Sequence, residues 1–475
     1  MPGIEGRAIY RQERGNMKPI LAVVVLFVCL YALLPGLPAS TEADLVAKGE
    51  DIFFNETFGG NGRTCVTCHR PEDNWRITPA FIATLPDDDP LFAHEFMPEL
   101  GENFEKADLM REWGLVLMNP DGFSDLENDF VMRTVNSLRS VRTSIEGMPH
   151  EGMENQLDFM EPLTGWAGDG APGDGSLRSF AIGAIIQHMP KTLAREPGVD
   201  FRLPTDEELD ALEAFMLSLG RQEELSLPLP LKGDLALRGQ DLFIDRDNKN
   251  GRCNVCHINA GASSLQASVL PQGRIVNLGS IVHATGEEFA PGKPTELIPL
   301  DDGYKDTHQF NTPPVVEAAD AGPLFHSGFV KSVEEAVDIY NLDTFRNSGV
   351  GVALAKRFGT ETDLSASEVL AIGAFLRVIN ALENIRETSE LLETSLEKGI
   401  LENERARELI RRAAYETEDA IIVLDGVNLH PLAVGRLRRA EELIHSAREA
   451  TFSRSGYVRD ALVELRRARG ILVES

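Results

Sequence analysis

Methionine is absent from the second half of the chain: all eleven lie at or before Met216. No thioether from that half can serve a metal there. Cysteine is scarce too, with five in 475 residues. Basic residues number 46 against 75 acidic ones, giving a net charge of −29. That balance argues against nucleic acid or anionic membrane as the main partner. A basic protein or a neutral small molecule approaches more easily, and a well-solvated surface is the plainer use of the same charge. The longest apolar run is short, 15 residues from Ile20 to Leu34, where a bilayer span needs about 20. Length and ordinary hydrophobic content leave room for two or three domains with real cores.

The apolar run follows Arg7, Arg11, Arg14 and Lys18 and precedes Pro-Gly-Leu-Pro-Ala-Ser. A basic flank, an apolar core and small residues describe an export signal. A start at Met17 gives a more typical one. An uncleaved anchor is the alternative, and would be the protein's one hold on a membrane. Either way the bulk of the chain is expected outside the cytoplasm, in the periplasm or otherwise exported.

Cys29 lies inside this leader, which leaves four cysteines. Two disulfides would be the default for an exported protein, but the spacing points elsewhere. The four fall in Arg-Thr-Cys-Val-Thr-Cys-His-Arg, residues 63–70, and Arg-Cys-Asn-Val-Cys-His-Ile-Asn, residues 252–259. Cys-x-x-Cys-His is the attachment site of c-type haem. Its two thiols add across the porphyrin vinyl groups, and the adjacent imidazole becomes an axial iron ligand. Cys65, Cys68 and His69 would hold one haem, and Cys253, Cys256 and His257 a second. Zinc would want four gathered ligands, and neither half offers a second Cys or His pair. A thiol redox pair would be expected in a βαβ setting, which is missing.

The motifs belong to an internal repeat. Lys48-Gly-Glu-Asp-Ile-Phe53 precedes the first and Arg238-Gly-Gln-Asp-Leu-Phe243 the second. Leu45, Ile52 and Phe53 share one helical face, as do Leu235, Leu242 and Phe243. Each unit closes with an amphipathic helix, 205–220 in the first, with a Thr cap and an acidic first turn, and 365–382 in the second. Residues 222–234 are a Pro-rich linker. From residue 384 onward charged residues alternate with Leu, Ile and Ala at helical spacing, with breaks near Asp425-Gly426 and Asn428-Leu-His-Pro. His430 and His445 fall there, where surface positions are expected. The expected fold is mainly α: two cytochrome c-like haem domains with long loops, followed by a C-terminal helical bundle. The divisions are a leader over 1–43, the haem 1 domain over 44–221, the linker, the haem 2 domain over 235–383 and the helical tail over 384–475.

On the open face of haem 2, the candidates within the unit are His283, His308, His326, Tyr304 and Tyr340. The run from Phe310 to Asn341 resembles a signature of the bacterial di-haem cytochrome c peroxidase and MauG superfamily. Phe310, Thr312, Pro313, Pro323, Phe325, His326 and Gly328 match it. The resemblance implies that the residue 14 places after His326 ligates haem 2; it is Met in the peroxidases and Tyr in MauG, and here it is Tyr340. A packing Tyr on a helix is the plain alternative. The stretches 133–141 and 164–190 resemble the matching parts of the first half, more faintly. There Trp166 takes the place of the family's electron-relaying Trp between the haems; otherwise it is a core Trp.

The departures are specific. The peroxidases' Glu over haem 1 has no counterpart in Gly183–Thr192, and the preceding Gln falls on Phe180. Near Asp125 no His caps haem 1. The family's calcium-binding Asn falls near Arg133, which speaks against calcium. His188 is the notable residue left in this stretch. It would ligate haem 1, or act as an acid–base group over an open iron, or merely occupy a helix surface. His94 and His150 sit in polar, Pro-containing loops and are poorer candidates.

Two functions follow. One is an oxidoreductase reacting with hydrogen peroxide at haem 1, fed through haem 2 and Trp166 by a small cytochrome or other redox protein, a basic one suiting the acidic surface. The other is a non-enzymatic electron-transfer cytochrome with both irons six-coordinate.

Overall fold

A computed structural model of the chain describes residues 41–101, 103–119, 122–139, 141–145, 176–244, 253–255, 257–261, 313–326, 330–347, 361–398, 402–450 and 452–474, and isolated positions at 328, 351–352, 355–356 and 359. The described residues are mainly helical. Strand is confined to β1 (Leu115–Met118) and β2 (Val131–Thr134), an antiparallel pair with Leu115 opposite Thr134. Among these residues no helix is long and apolar enough to cross a membrane. The leader and residues 146–175, which carry His150 and Trp166, lie outside the described residues.

The first Cys-x-x-Cys-His motif is framed by α1 (Glu42–Asn55), α2 (Leu177–His188) and α3 (Asp206–Leu217). Thr205 and Glu208 close a capping box at the start of α3, satisfying backbone donors that the first turn would leave open. Helix α1 crosses α3 at Gly49. A Cβ there would stand 1.9 Å from the Ala211 carbonyl oxygen, so only glycine permits the approach. Beside the crossing, Phe53 and Phe215 pack with centroids 5.2 Å apart.

The second half repeats this crossing. Helix α4 (Asp234–Ile244) precedes the second motif, and α6 (Ala366–Glu397) crosses it. A Cβ on Gly239 would lie 1.8 Å from the Ala371 oxygen, and Phe243 and Phe375 pack at 5.1 Å. The repeated Gly and Phe are thus a helix-crossing device used twice. The short helix α5 (Val333–Asp338) leads into the turn Ile339–Asn341.

Helix α6 continues without a break through residue 383, the boundary suggested by composition, and ends at Glu397. Helices α7 (Asn403–Asp425), α8 (Pro431–Glu449) and α9 (Arg454–Leu472) follow, breaking where Asp425-Gly426 and Pro431 indicate. This tail packs into the same core as the second half, from Phe243 and Phe375 to Leu437 and Leu465. Its end is tied to the Pro-rich linker: Lys232 N–H donates to Leu472 O at 2.8 Å, and Glu474 N–H to Pro230 O at 2.9 Å.

The tail also reaches the first half. Arg139 is buried and pairs with Glu416 of α7 and, at 3.2 Å, with Glu317. Glu387 of α6 stands 4.0 Å away. Burial raises the carboxyls of Glu317, to about 8, and Glu416, against the attraction of Arg139. On α7, Arg405 and Arg412 both bond Glu50 of α1, at 2.7 and 3.2 Å.

Candidate functional site

The first Cys-x-x-Cys-His folds as one tight turn. Cys65–Thr67 is 3₁₀-helical, and the Cys68 and His69 N–H groups both donate to Cys65 O, at 3.3 and 3.1 Å. The turn's start is held by Thr64 N–H donating to Thr67 Oγ1 at 2.9 Å. Both thiols are free. Burial pushes Cys65 up to about 12 and Cys68 to about 11, so both are neutral thiols. Among the described residues no group of three or more His, Cys, Asp or Glu is arranged to hold a metal ion.

His69 Nδ1 lies 3.1 Å from the Trp75 carbonyl oxygen. A carbonyl only accepts, so this contact favours a proton on Nδ1. Burial lowers the ring to about 4, against the pull of backbone acceptors at Trp75 and Asn136, and so keeps it neutral. The second motif does the same. His257 N–H donates to Cys253 O at 2.8 Å, its Nδ1 faces Pro313 O at 3.0 Å, and burial lowers its ring to about 4. A neutral imidazole with Nδ1–H anchored to backbone is the form that presents Nε2 to a metal. Cys65, Cys68 and His69 thus fit a covalently attached haem, as do Cys253 and His257 of the second turn. Cys256, with residues 245–252 and 262–312, including His283, Tyr304 and His308, lies outside the described residues.

Trp75 is part of the first site although no sequence signal marked it. It sits in left-handed backbone (φ 56°) and is buried. Its ring meets Phe53 at 6.1 Å and Phe215 at 5.9 Å, and Arg412 of α7 lies 5.0 Å from its centroid. The segment that follows His69 is therefore packed by α1 and α3 and by α7 of the tail.

His188 ends α2 and is brought to the motif. Asn61 Nδ2 donates to His188 O at 3.0 Å, and Asn61 N–H to Met189 O at 2.9 Å. Gly60 makes room, since a Cβ there would stand 1.8 Å from Met189 O. The Asn/Gly turn before Cys65 is thereby fastened to the end of α2. His188 is near enough for its charge to disfavour one on His69.

Facing His188 is Glu105, whose side chain is fully buried. Its Oε1 lies 3.8 Å from His188 Nδ1, an ion-pair distance, and 3.0 Å from Arg63 Nη1. Its Oε2 accepts from Leu117 N–H of β1 at 3.0 Å. Arg63 also donates to the carbonyls of Pro90 and Leu91, at 3.2 and 2.5 Å. Burial would raise the Glu105 carboxyl, but His188, Arg63 and Leu117 N–H outweigh it and hold the group near 2. A carboxylate is therefore present at this site after all, supplied by a segment 42 residues from Arg63 rather than by the helix of His188. Its only signal in the sequence was being one acid among many.

Tyr340 lies on the turn after α5, partly buried, with its ring edge-on to Phe345 at 4.8 Å. His326 sits in the loop that meets the first half: Thr134 N–H donates to His326 O at 2.8 Å. Gly328 is required there, because it adopts φ 65° and a Cβ would meet Thr134 Cγ2 at 2.4 Å.

No family model matches the chain, and no curated protein does. Among solved structures, hydrazine synthase of Kuenenia stuttgartiensis aligns at 14% identity and a TM-score of 0.37, covering 78% of this chain and 99% of that one. A MauG-like protein associated with microbial copper homeostasis aligns at 15% identity and a TM-score of 0.35, covering 72% and 90%.

Proposed function

We propose that this protein is an exported di-haem c-type cytochrome oxidoreductase that reduces peroxide at the first haem. The observation that carries the haem assignment is the pair of turns at His69 and His257, where Nδ1 meets a backbone carbonyl at 3.1 and 3.0 Å. Cys65, Cys68 and His69 would hold one haem, and Cys253, Cys256 and His257 the other. Bound there, the haems supply one-electron redox chemistry. The chain supplies the rest. Reduction of peroxide to two waters takes two electrons and two protons, and a positioned acid–base group must deliver protons to the oxygens. His188 is that group, and Glu105 holds its ring and balances its charge. Electrons come from a redox protein, a basic one suiting the net charge of −29. Trp166 and Tyr340 are proposed, from the family resemblance, as relay and haem 2 ligand.

Pyridine haemochrome analysis of the purified protein tests the cofactor. Two covalent haems are expected, and one in a Cys65→Ser/Cys68→Ser variant; none in the parent would end the proposal. The second function is pure electron transfer, with His188 a ligand of haem 1 rather than its acid–base group. The ferric EPR spectrum separates the two. A high-spin centre that responds to peroxide supports the enzyme, and two low-spin centres unchanged by peroxide support the carrier.

A further inference from the structure

Arg195 is a buried charge that the site so far leaves unused. It lies in the turn after α2, in left-handed backbone (φ 49°), with 6% of its surface exposed. None of its three guanidinium nitrogens has a hydrogen-bond partner. The group stacks on Phe123 at 4.8 Å. Burial lowers its pKa to about 10, so it is still a cation at neutral pH. Glu105 is the negative charge that reaches it. Yet Glu105 is already engaged, by Arg63 and His188 at Oε1 and by Leu117 N–H at Oε2. His94 stands by the same carboxylate, its side chain 6% exposed and both ring nitrogens without a hydrogen-bond partner.

A guanidinium taken out of water without an anion is costly, and folded proteins keep such charges paired. Among the described residues no anion bonds it. We infer that Arg195 binds a carboxylate, and that this carboxylate is a propionate of the haem held by Cys65, Cys68 and His69. The inference rests on the haem assignment above. Place and chemistry both favour it. Glu105, the carboxylate that reaches Arg195, bonds Arg63 at 3.0 Å, two residues before Cys65, so the guanidinium lies on the side of the turn that would carry the porphyrin. Haem carries two propionates, and the planar fork of an Arg takes a carboxylate through two parallel bonds. Lysine keeps the charge but loses the fork.

The test uses the full-length haem-loaded protein, with covalent haem counted first. Absence of haem in the parent would remove the cofactor assignment, an outcome distinct from those below. The haem 1 midpoint potential is then titrated in the parent, R195K and R195Q over roughly pH 5 to 9, where an unpaired buried carboxyl would titrate. R195Q should lower the potential at the alkaline end, because an uncompensated propionate favours ferric iron. It should also add a pH dependence, because that propionate takes up a proton on reduction. R195K should shift less, and haem 2 should not move. If R195Q does not accumulate, the propionate bending band in the resonance Raman spectrum of R195K decides: a shift from the parent supports the assignment. An unmoved band there, or an unmoved potential and pH profile in R195Q, overturns it. So does a saturable response of the parent's haem 1 to added acetate that R195Q lacks, which would give Arg195 to a free anion.

Discussion

Glu105 Oε1 lies 3.8 Å from His188 Nδ1 and 3.0 Å from Arg63 Nη1, so one buried carboxylate joins the end of α2 to the arm that leads into Cys65. Its carboxyl is held near 2, below the ordinary value of 4.5. A depressed carboxyl contributes stability that is complete above the ordinary value and is lost as pH falls through the depressed one. Parent protein should therefore lose stability between about pH 4.5 and 2, and Glu105→Gln should lose less over that window. Thermal melts at neutral pH and near pH 3 check this. If the first haem reduces peroxide as proposed, the same variant should slow turnover by about 10–100-fold through loss of the His188 ring's orientation.

Replacing His188 by Ala should cost more, about 10²-fold or greater, as expected for a positioned acid–base group. The covalent haem count and the haem 2 spectrum should be unchanged. Stopped-flow mixing with peroxide measures the rate, and undiminished turnover would remove His188 from the chemistry.

The paired crossings at Gly49 and Gly239 should fail alike. An added methyl would press on a backbone carbonyl within 2 Å in each, at 1.9 Å from Ala211 O and 1.8 Å from Ala371 O. Gly49→Ala and Gly239→Ala should each destabilise by about 1–3 kcal/mol or more, read as a lower urea midpoint. A variant within a few tenths of a kcal/mol of the parent would show that its crossing tolerates separation.

Arg139 should be worth more than a surface charge. It is 1% exposed at the side chain and faces Glu317, Glu387 and Glu416. Breaking a buried pair by removing one partner costs about 3–5 kcal/mol. Arg139→Gln should show that loss in urea unfolding. Hydrogen exchange should rise at α7, because its Glu416 would lose its cation.

Tyr340→Phe removes a phenol oxygen and leaves the ring contact with Phe345. If that oxygen ligates haem 2, the variant's ferric spectrum should change at haem 2 alone. An identical spectrum would return Tyr340 to a packing role.

The chemistry proposed for Cys65, Cys68 and His69 is read from the sequence because it is local. Three residues on one turn need no distant partner to define what they can hold, and the second copy at Cys253 and His257 repeats the message. The helix crossings were half legible. Gly49 and Gly239 stand at matching places in the repeat, but the carbonyls that demand glycine come from Ala211 and Ala371, well over a hundred residues away. Glu105, Trp75, Arg195 and the pairing of Arg139 with Glu416 across 277 residues were not legible at all. A carboxylate or guanidinium in a charged sequence carries no mark of burial. Its role arises only when folding removes water from it and so makes its few neighbours decide its charge and its partners. The sequence by itself marked the two turns proposed to carry haem and the helix breaks near Gly426 and Pro431, but not that α6 runs on through residue 383. Only the tertiary structure decided which distant side chains surround those turns, because desolvation is a property of the packed chain and not of its order.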